Sequence, residues 1–472
     1  MIELCKPEDC TGCMACGNAC RHGAIEFVQN EEGFLHPKIN VEKCVECKMC
    51  VRACPILTPC SPAGTQEDKQ VFAAWAKDEE IRMESSSGGV FSVLAKNMLS
   101  GGGIVFGAAF DENFKLRHIG IEDEKSLEKL RGSKYVQSEI GDAFVRVERF
   151  LKSGRNVLFS GTPCQIAGLR MFLRKSYENL LTIDIVCHGV PSPLVFQSYK
   201  TWLELQLGRP LGAYKFRDKR WSWKNFNTKA SPLGGRKLQH ESLFANNDRE
   251  SDNAENLSSN FSHTKGKFQH ESPLKAERDG TLLGTWQEDP WMRGFLREYF
   301  LREGCHSCRY TNTDRPADIT LADYWGYRSR IGFRDDDKGI SMVMLNSLKG
   351  REAFERIKLG LVFCETPIVE AVRGNPALSR CFAPSPLRAV FWEDFKAGGY
   401  AGTLKKYMYP EPIRWHLRIL YRYGRNHFVV EILRGLLFAL ALPRRSMLLV
   451  WRVFKPLKIM LCTIKNEFVR GA

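Results

Sequence analysis

A chain of 472 residues exceeds one ordinary hydrophobic core, so its length predicts two or three domains. With 43% hydrophobic and 26% charged residues it has the make-up of a folded, water-compatible protein, which excludes a fibre or a wholly disordered chain. The formal net charge of +15 is uneven: from residue 411 onward 12 Lys and Arg stand against 3 Asp and Glu, so the excess belongs to the tail and says little about chemistry upstream.

Cysteine usage is the compositional anomaly, at 17 residues. The start, Met1-Ile2-Glu3-Leu4-Cys5-Lys6, lacks an apolar signal-peptide core. The expectation is therefore a reducing cytoplasm, in which clustered cysteines bind metal rather than pair as disulfides. Cys10, Cys13, Cys16 and Cys20 follow the spacing Cys-x-x-Cys-x-x-Cys-x-x-x-Cys, and Cys44, Cys47, Cys50 and Cys54 repeat it, with Pro55 behind the last. Three thiolates on one tight loop cap three irons of a cubane, while the fourth, at the start of a helix, points to the other cluster. The pattern predicts two 4Fe-4S clusters in a ferredoxin-type domain over residues 1–62. One falls to Cys10, Cys13, Cys16 and Cys54, the other to Cys44, Cys47, Cys50 and Cys20. A zinc ribbon would set its cysteine pairs further apart. Arg21 stands where proline is usual after Cys20, which alters the turn and removes no ligand. Gly23-Ala24-Ile25 suits a small strand packed on a cluster, and Cys5 and Cys60 read as spare thiols.

The polar run from Ser61 to Gln70 reads as a linker. Beyond it the apolar patterns predict a strand over 71–76, a helix over 90–98 and a strand over 104–110, then strands ending in turns over 157–164 and 180–189. Continuous apolar strands alternating with helices predict an α/β sheet covered on both faces. Ligand groups in such sheets gather at the carboxyl ends of strands, where Cys164 and Cys187 sit. Together with the Cys-x-x-Cys pair Cys305 and Cys308 they could cap a further cube or bind zinc, or all four could be ordinary buried cysteines; spacing does not decide. Ser85-Ser86-Ser87-Gly88-Gly89 before the 90–98 helix offers hydroxyls and bare amides to a phosphate, or is an ordinary helix cap. Arg131-Gly132-Ser133-Lys134-Tyr135 adds two cations, a flexible glycine and an aromatic face, which suit a flavin-type ring with its phosphates. His188 reads as a hydrogen bonder that stabilises its loop, and Trp221, Trp223 and Trp325 as core or interface residues.

Residues 232–284 are rich in Ser, Asn, His, Lys and Glu, and within them Leu238-Gln239-His240-Glu241-Ser242 is echoed by Phe268-Gln269-His270-Glu271-Ser272. A mobile insertion is expected there. After residue 388 the pattern turns helical, with Arg414, Arg418, Arg422 and Arg425 on one face beside Ile413, Leu417, Leu420 and Tyr421. The longest uncharged apolar run, 436–442, is far short of the ~20 residues of a membrane-spanning helix. The tail reads as a basic amphipathic segment on an anionic membrane, peripheral at its inner face, or as a helical cap on the protein or a partner subunit. No nucleic-acid-binding module accompanies the charge, so no nucleic acid is expected as a partner.

Several of these stretches together carry a family resemblance. They are Ser85-Ser86-Ser87-Gly88-Gly89-Val90-Phe91, Leu130-Arg131-Gly132-Ser133-Lys134-Tyr135-Val136-Gln137-Ser138, and Phe159-Ser160-Gly161-Thr162-Pro163-Cys164-Gln165 running on to Leu169. Asp184-Ile185-Val186-Cys187-His188-Gly189 continuing to Pro193, Cys305-His306-Ser307-Cys308 with Arg315-Pro316-Ala317-Asp318-Ile319-Thr320, and Ala322-Asp323-Tyr324-Trp325-Gly326 complete the set. The chain resembles the beta subunit family of coenzyme F-420 hydrogenases and dehydrogenases, in its ferredoxin-fused bacterial form. The resemblance implies a multidomain α+β and α/β protein. The ferredoxin domain is followed by an N-terminal family domain over 70–155, a C-terminal family domain over 156–390 that contains the insertion, and a basic helical tail over 391–472. It implies a flavoprotein with FAD, contact with coenzyme F-420, and a third 4Fe-4S cluster on Cys164, Cys187, Cys305 and Cys308. Ser86, Ser87, Gly88, Gly89, Ser133, Lys134 and Tyr135 are then the expected flavin or coenzyme contacts, with no catalytic base assigned. The implied activity is that of an oxidoreductase, passing electrons between a two-electron carrier and an acceptor through the clusters, with a redox partner protein or subunit. The alternative is a non-catalytic ferredoxin-type relay to a partner enzyme, linked to surface polysaccharide biosynthesis. An interaction protein stabilised by zinc or a cluster stands outside redox turnover altogether.

Overall fold

The computed structural model describes residues 2–65, 69–234 and 272–409. The tail face of Arg414, Arg418, Arg422 and Arg425 lies outside them, as do the echoed pentapeptides apart from Ser272.

The duplicated cysteine motif folds into duplicated geometry. Helices α1 (Ala15–Ala19) and α2 (Met49–Ala53) are each entered through a left-handed residue, Met14 at φ 56° and Lys48 at φ 58°. Each is closed by an extended cysteine, Cys20 or Cys54, whose N–H bonds back to the helix. Strands β1 (Ile25–Gln29) and β2 (Leu35–Ile39) form an antiparallel hairpin beside them, with Ile25 opposite Ile39.

The main body begins with β3 (Gln70–Ala76), α3 (Glu79–Glu84), α4 (Val90–Ser100), β4 (Ile104–Phe110) and β5 (Leu116–Ile121). Then come α5 (Ala143–Lys152), β6 (Val157–Gly161), α6 (Pro163–Leu173), β7 (Leu180–Ile185) and α7 (Pro193–Leu207). Strands β8 (Leu211–Asp218), β9 (Asn227–Pro232), β10 (Lys275–Ala276) and β11 (Leu282–Thr285) follow, then α8 (Pro290–Phe295), β12 (Ile319–Asp323), β13 (Ser341–Leu345), α9 (Leu348–Ile357) and β14 (Leu361–Glu365). The described part closes with α10 (Ile368–Gly374) and α11 (Arg388–Thr403).

An eight-stranded sheet runs in the order β14-β3-β13-β12-β7-β6-β4-β5. Its centre, β12-β7-β6-β4, is parallel and its flanks are antiparallel. The apolar runs of β3, β4, β6, β7 and β13 are buried, as strands covered on both faces require. One core gathers α4 and α9 over the sheet; another gathers α5 and α6 under it. Cys13, Ala15, Ala19 and Ala53 belong to that second core with Ile166, Leu169 and Phe144, so the ferredoxin helices pack directly on α6.

Within the expected linker, Ser61 and Ala63 are tied to the main body: Arg170 donates to the Ser61 carbonyl at 2.7 Å and Ala63 N–H to the Arg315 carbonyl at 2.9 Å. Of the segment expected to be mobile over 232–284, residues 235–271 lie outside the described ones, and its end holds β10 and β11. β11 pairs with β9, Leu282 opposite Ala230, in a four-stranded antiparallel sheet ordered β10-β11-β9-β8. Leu274 and Leu282 are buried there, an apolar pair that the polar composition around them conceals. Among the described residues no helix is long and apolar enough to cross a membrane.

Candidate functional site

The two cysteine motifs meet across the duplication, with Cys54 of the second beside three cysteines of the first. Cys10, Cys13, Cys16 and Cys54 line one small cavity, walled also by Phe27, Pro37 and Ile56. Cys50 lies within electrostatic reach of Cys20 and Cys47. Cys5, expected to be spare, lines the first cavity too, close to Cys10 and Cys54, and its contact lowers the Cys10 thiol. Cys60 stands apart, its thiol donating to the Ser61 carbonyl. Among the described residues no three Cys, His, Asp or Glu side chains converge on a single ion.

Cys164, Cys187, Cys305 and Cys308 come together from three segments. Cys164 occupies the first turn of α6, behind a capping box of Thr162 and Gln165. Cys187 follows β7, and Cys305 and Cys308 sit on and just after a short 3-10 turn at Glu303–Cys305. The other three thiols all act electrostatically on Cys187. Burial pushes Cys305 and Cys308 up to about 12, so as free thiols they stay neutral, and metal binding would release their protons. Val190 N–H points at the Cys305 sulfur at 3.4 Å. Cys381, absent from the expected set, bonds the Cys308 carbonyl at 3.2 Å and touches the Thr311 hydroxyl at 3.1 Å. This set adjoins the ferredoxin. Thr11, between Cys10 and Cys13, works against burial to lower the Cys164 thiol, and Gly168, one turn along α6, faces Cys13.

Beside it lies a cavity of about 650 Å³ at the carboxyl ends of β6, β7 and β12, where open α/β sheets hold ligands. Ser86, Ser87, Gly89, Ser133, Lys134 and Tyr135 line it, six of the seven expected contacts. Gly88 does not. It is packed against β3 and β13, where a Cβ would come within 2.3 Å of the Ala74 carbonyl, and its N–H bonds Ser341 Oγ at 3.0 Å. The two motifs are joined, because Ser133 N–H donates to Ser86 Oγ at 2.6 Å. Ser87 Oγ is committed to the Ile340 carbonyl at 2.7 Å. α4 starts at left-handed Gly89 with no side-chain cap, and its first residues line the cavity, so its end amides are free for an anion.

Among the described residues two polar groups of the wall lack partners: Arg131 Nε and His118 Nδ1. Burial pushes Lys134 down to about 7 and His118 down to about 4. A guanidinium Nε without an acceptor among the described residues, a lysine and uncapped amides around one void fit a phosphate-bearing ligand. Trp325 lines the cavity and stacks at 4.8 Å on buried Trp223, while Trp221 is exposed elsewhere. His188 stacks on Phe382 at 3.8 Å and meets Glu298 at 3.1 Å, the loop-holding role expected of it. Cys187, His188 and Gly189 belong to the cavity wall, so the third cysteine set and the cavity share a boundary.

Residues 9–56 match the family model described as 4Fe-4S dicluster domain. Residues 71–144 match that of the coenzyme F-420 hydrogenase/dehydrogenase beta subunit N-terminus, and residues 154–370 that of its C-terminus. A search of the curated proteins gave no match. Among solved structures, a chain from the F-420-reducing [NiFe] hydrogenase complex of Methanosarcina barkeri is 14% identical; the match covers 73% of this chain and 96% of that one, at a TM-score of 0.38. The two beta-subunit models span more than half of the sequence in the expected order behind the dicluster domain, and the chain belongs to the coenzyme F-420 hydrogenase/dehydrogenase beta subunit family.

Proposed function

We propose that the chain is an iron–sulfur flavoprotein oxidoreductase. It passes electrons between a two-electron carrier, coenzyme F-420-like or flavin, and an acceptor, through 4Fe-4S clusters. The observation that carries this reading is the shared wall: Cys187 belongs both to the third cysteine set and to the lining of the cavity. Cys10, Cys13, Cys16 and Cys54 would hold the first cluster and Cys44, Cys47, Cys50 and Cys20 the second. Cys164, Cys187, Cys305 and Cys308 would hold the third.

FAD, when bound, supplies the exchange between paired and single electrons that clusters alone lack. Arg131, Lys134 and the first amides of α4 would bind its phosphates, Ser86 fixes the Ser133 loop that completes that cradle, and the Trp325 and Tyr135 walls exclude water. A redox partner protein or subunit completes the electron path. The flavin-free relay to a partner enzyme is the competing reading.

Anaerobic purification with iron, sulfide and flavin quantified together tests the proposal. About twelve irons with bound flavin per chain are expected, and about eight would remove the third cluster while sparing the ferredoxin. Full iron without flavin, and no reduction by a hydride donor, would leave the relay. A Cys305→Ser variant that keeps all its iron would also count against the third cluster.

A further inference from the structure

The buried arginines differ in one respect. Arg82, Arg217 and Arg315 each meet a carboxylate: Asp336 at 2.6 Å, Asp323, and Asp184 at 3.1 Å. Arg302 is 1% exposed and meets none among the described residues. Its Nε donates to the Cys10 carbonyl at 2.5 Å, one terminal nitrogen to Gln137 Oε1 at 3.0 Å, and the other to the Leu35 carbonyl at 3.0 Å. The His36 ring lies 3.3 Å away and the Phe34 ring faces the guanidinium at 5.3 Å. None of these partners is a carboxylate. A guanidinium keeps its proton even when buried, and a buried charge among neutral acceptors alone is strongly unfavourable. The missing anion has to be something the carboxylates do not supply.

The surroundings point to it. The Arg302 charge reaches the Cys10, Cys164 and Cys305 sulfurs, which belong to two different ligand sets. Arg302 lies three residues before Cys305, and Gln137 ties it to the first set by donating to the Thr11 carbonyl at 3.1 Å. Gly12 keeps the fork in place: at φ +71° it has no Cβ, and one would come within 2.8 Å of the Arg302 guanidinium. A cubane with four thiolates is an anion in both oxidation states, and one-electron reduction adds one negative charge without a proton.

We propose that Arg302 is a counter-cation shared by the first ferredoxin cluster and the third cluster, positioned to favour their reduced forms and so to raise their potentials. For the third centre this rests on the reading above; for the first it rests on the ferredoxin motif alone. The test uses the full chain, purified anaerobically as Arg302→Met and Arg302→Lys, with iron content and the midpoint potential of each centre followed by EPR. The methionine variant is expected to shift at least one centre to more negative potential, or to shed that centre's iron. The lysine variant is expected to keep its iron and remain close to the parent potentials. Parent iron and parent potentials in Arg302→Met would overturn the proposal. Equal loss in both variants would overturn it too, because the fork's shape rather than its charge would then be what matters. A parent protein with about eight irons would remove the third centre and leave the first-centre expectation standing.

Discussion

Lys134 donates to the carbonyls of Arg131 at 2.8 Å and Gly132 at 3.2 Å, and burial pushes its ammonium down to about 7. Two opposite pH dependences follow. In the ligand-free protein the folded state releases this proton near 7 whereas the unfolded chain keeps it to 10.5, so Lys134 costs stability below 7 and the cost is relieved as pH rises across that window. Binding an anion runs the other way. Below 7 the charged ammonium meets a phosphate; above it the neutral amine does not, so affinity for FAD should fall as pH rises through 7, by at most about tenfold per pH unit. Fluorescence titration of flavin-stripped protein checks this. The expected result is a slope in the parent that flattens in Lys134→Met, with weaker binding at the acid end. An equally steep slope in the variant would place the titrating group elsewhere.

Helix α6 serves two sites within one turn. Thr162 and Pro163 start it, Cys164 in its first turn joins the third cysteine set, and Gly168 then lies against the Cys13 loop. A Cβ at Gly168 would meet the Cys13 Cβ and Sγ, each at 3.1 Å. Alanine there needs a shift of only tenths of an ångström and gains about 1 kcal/mol of helix propensity, so Gly168→Ala should be close to neutral. Gly168→Val overpacks the contact, which typically costs about 1–3 kcal/mol, and should lower iron content through the first cluster; iron analysis and thermal melting measure both. What was legible in the sequence is the part written in local patterns. The cubane spacing and the continuous apolar runs of β3, β4, β6 and β7 are such patterns. The placement of β3 between β13 and β14 is not, because it is settled by pairing across more than 250 residues. Gly88 was indistinguishable from its neighbours in a Ser-Gly run until the Ala74 carbonyl behind it was known. Arg302 and Cys381 carry no motif at all: an unpaired buried cation and a lone thiol become informative only through what surrounds them.

The ferredoxin is part of the main body's core rather than a bead on a string. Cys13, Ala15, Ala19 and Ala53 pack with Ile166 and Leu169, Arg302 bonds the Cys10 and Leu35 carbonyls, Asn18 bonds Gly141 at 2.8 Å, and Arg388 pairs with Glu32. Breaking this contact would expose an apolar helix face and leave a buried guanidinium without its acceptors, both costly. The two parts should therefore unfold as one cooperative unit. Heating the anaerobic protein while following cluster absorbance and tryptophan fluorescence together checks this, since Trp223, Trp291 and Trp325 all lie in the main body. Coincident midpoints are expected, and stripping the iron should lower the tryptophan transition as well. Cluster loss well below an unchanged tryptophan transition would instead mean that the shared core contributes little. If the third cysteine set holds a cluster as proposed, the same cooperative joint would keep the first and third sites at a fixed separation, with Gly168 against Cys13, for as long as the protein is folded.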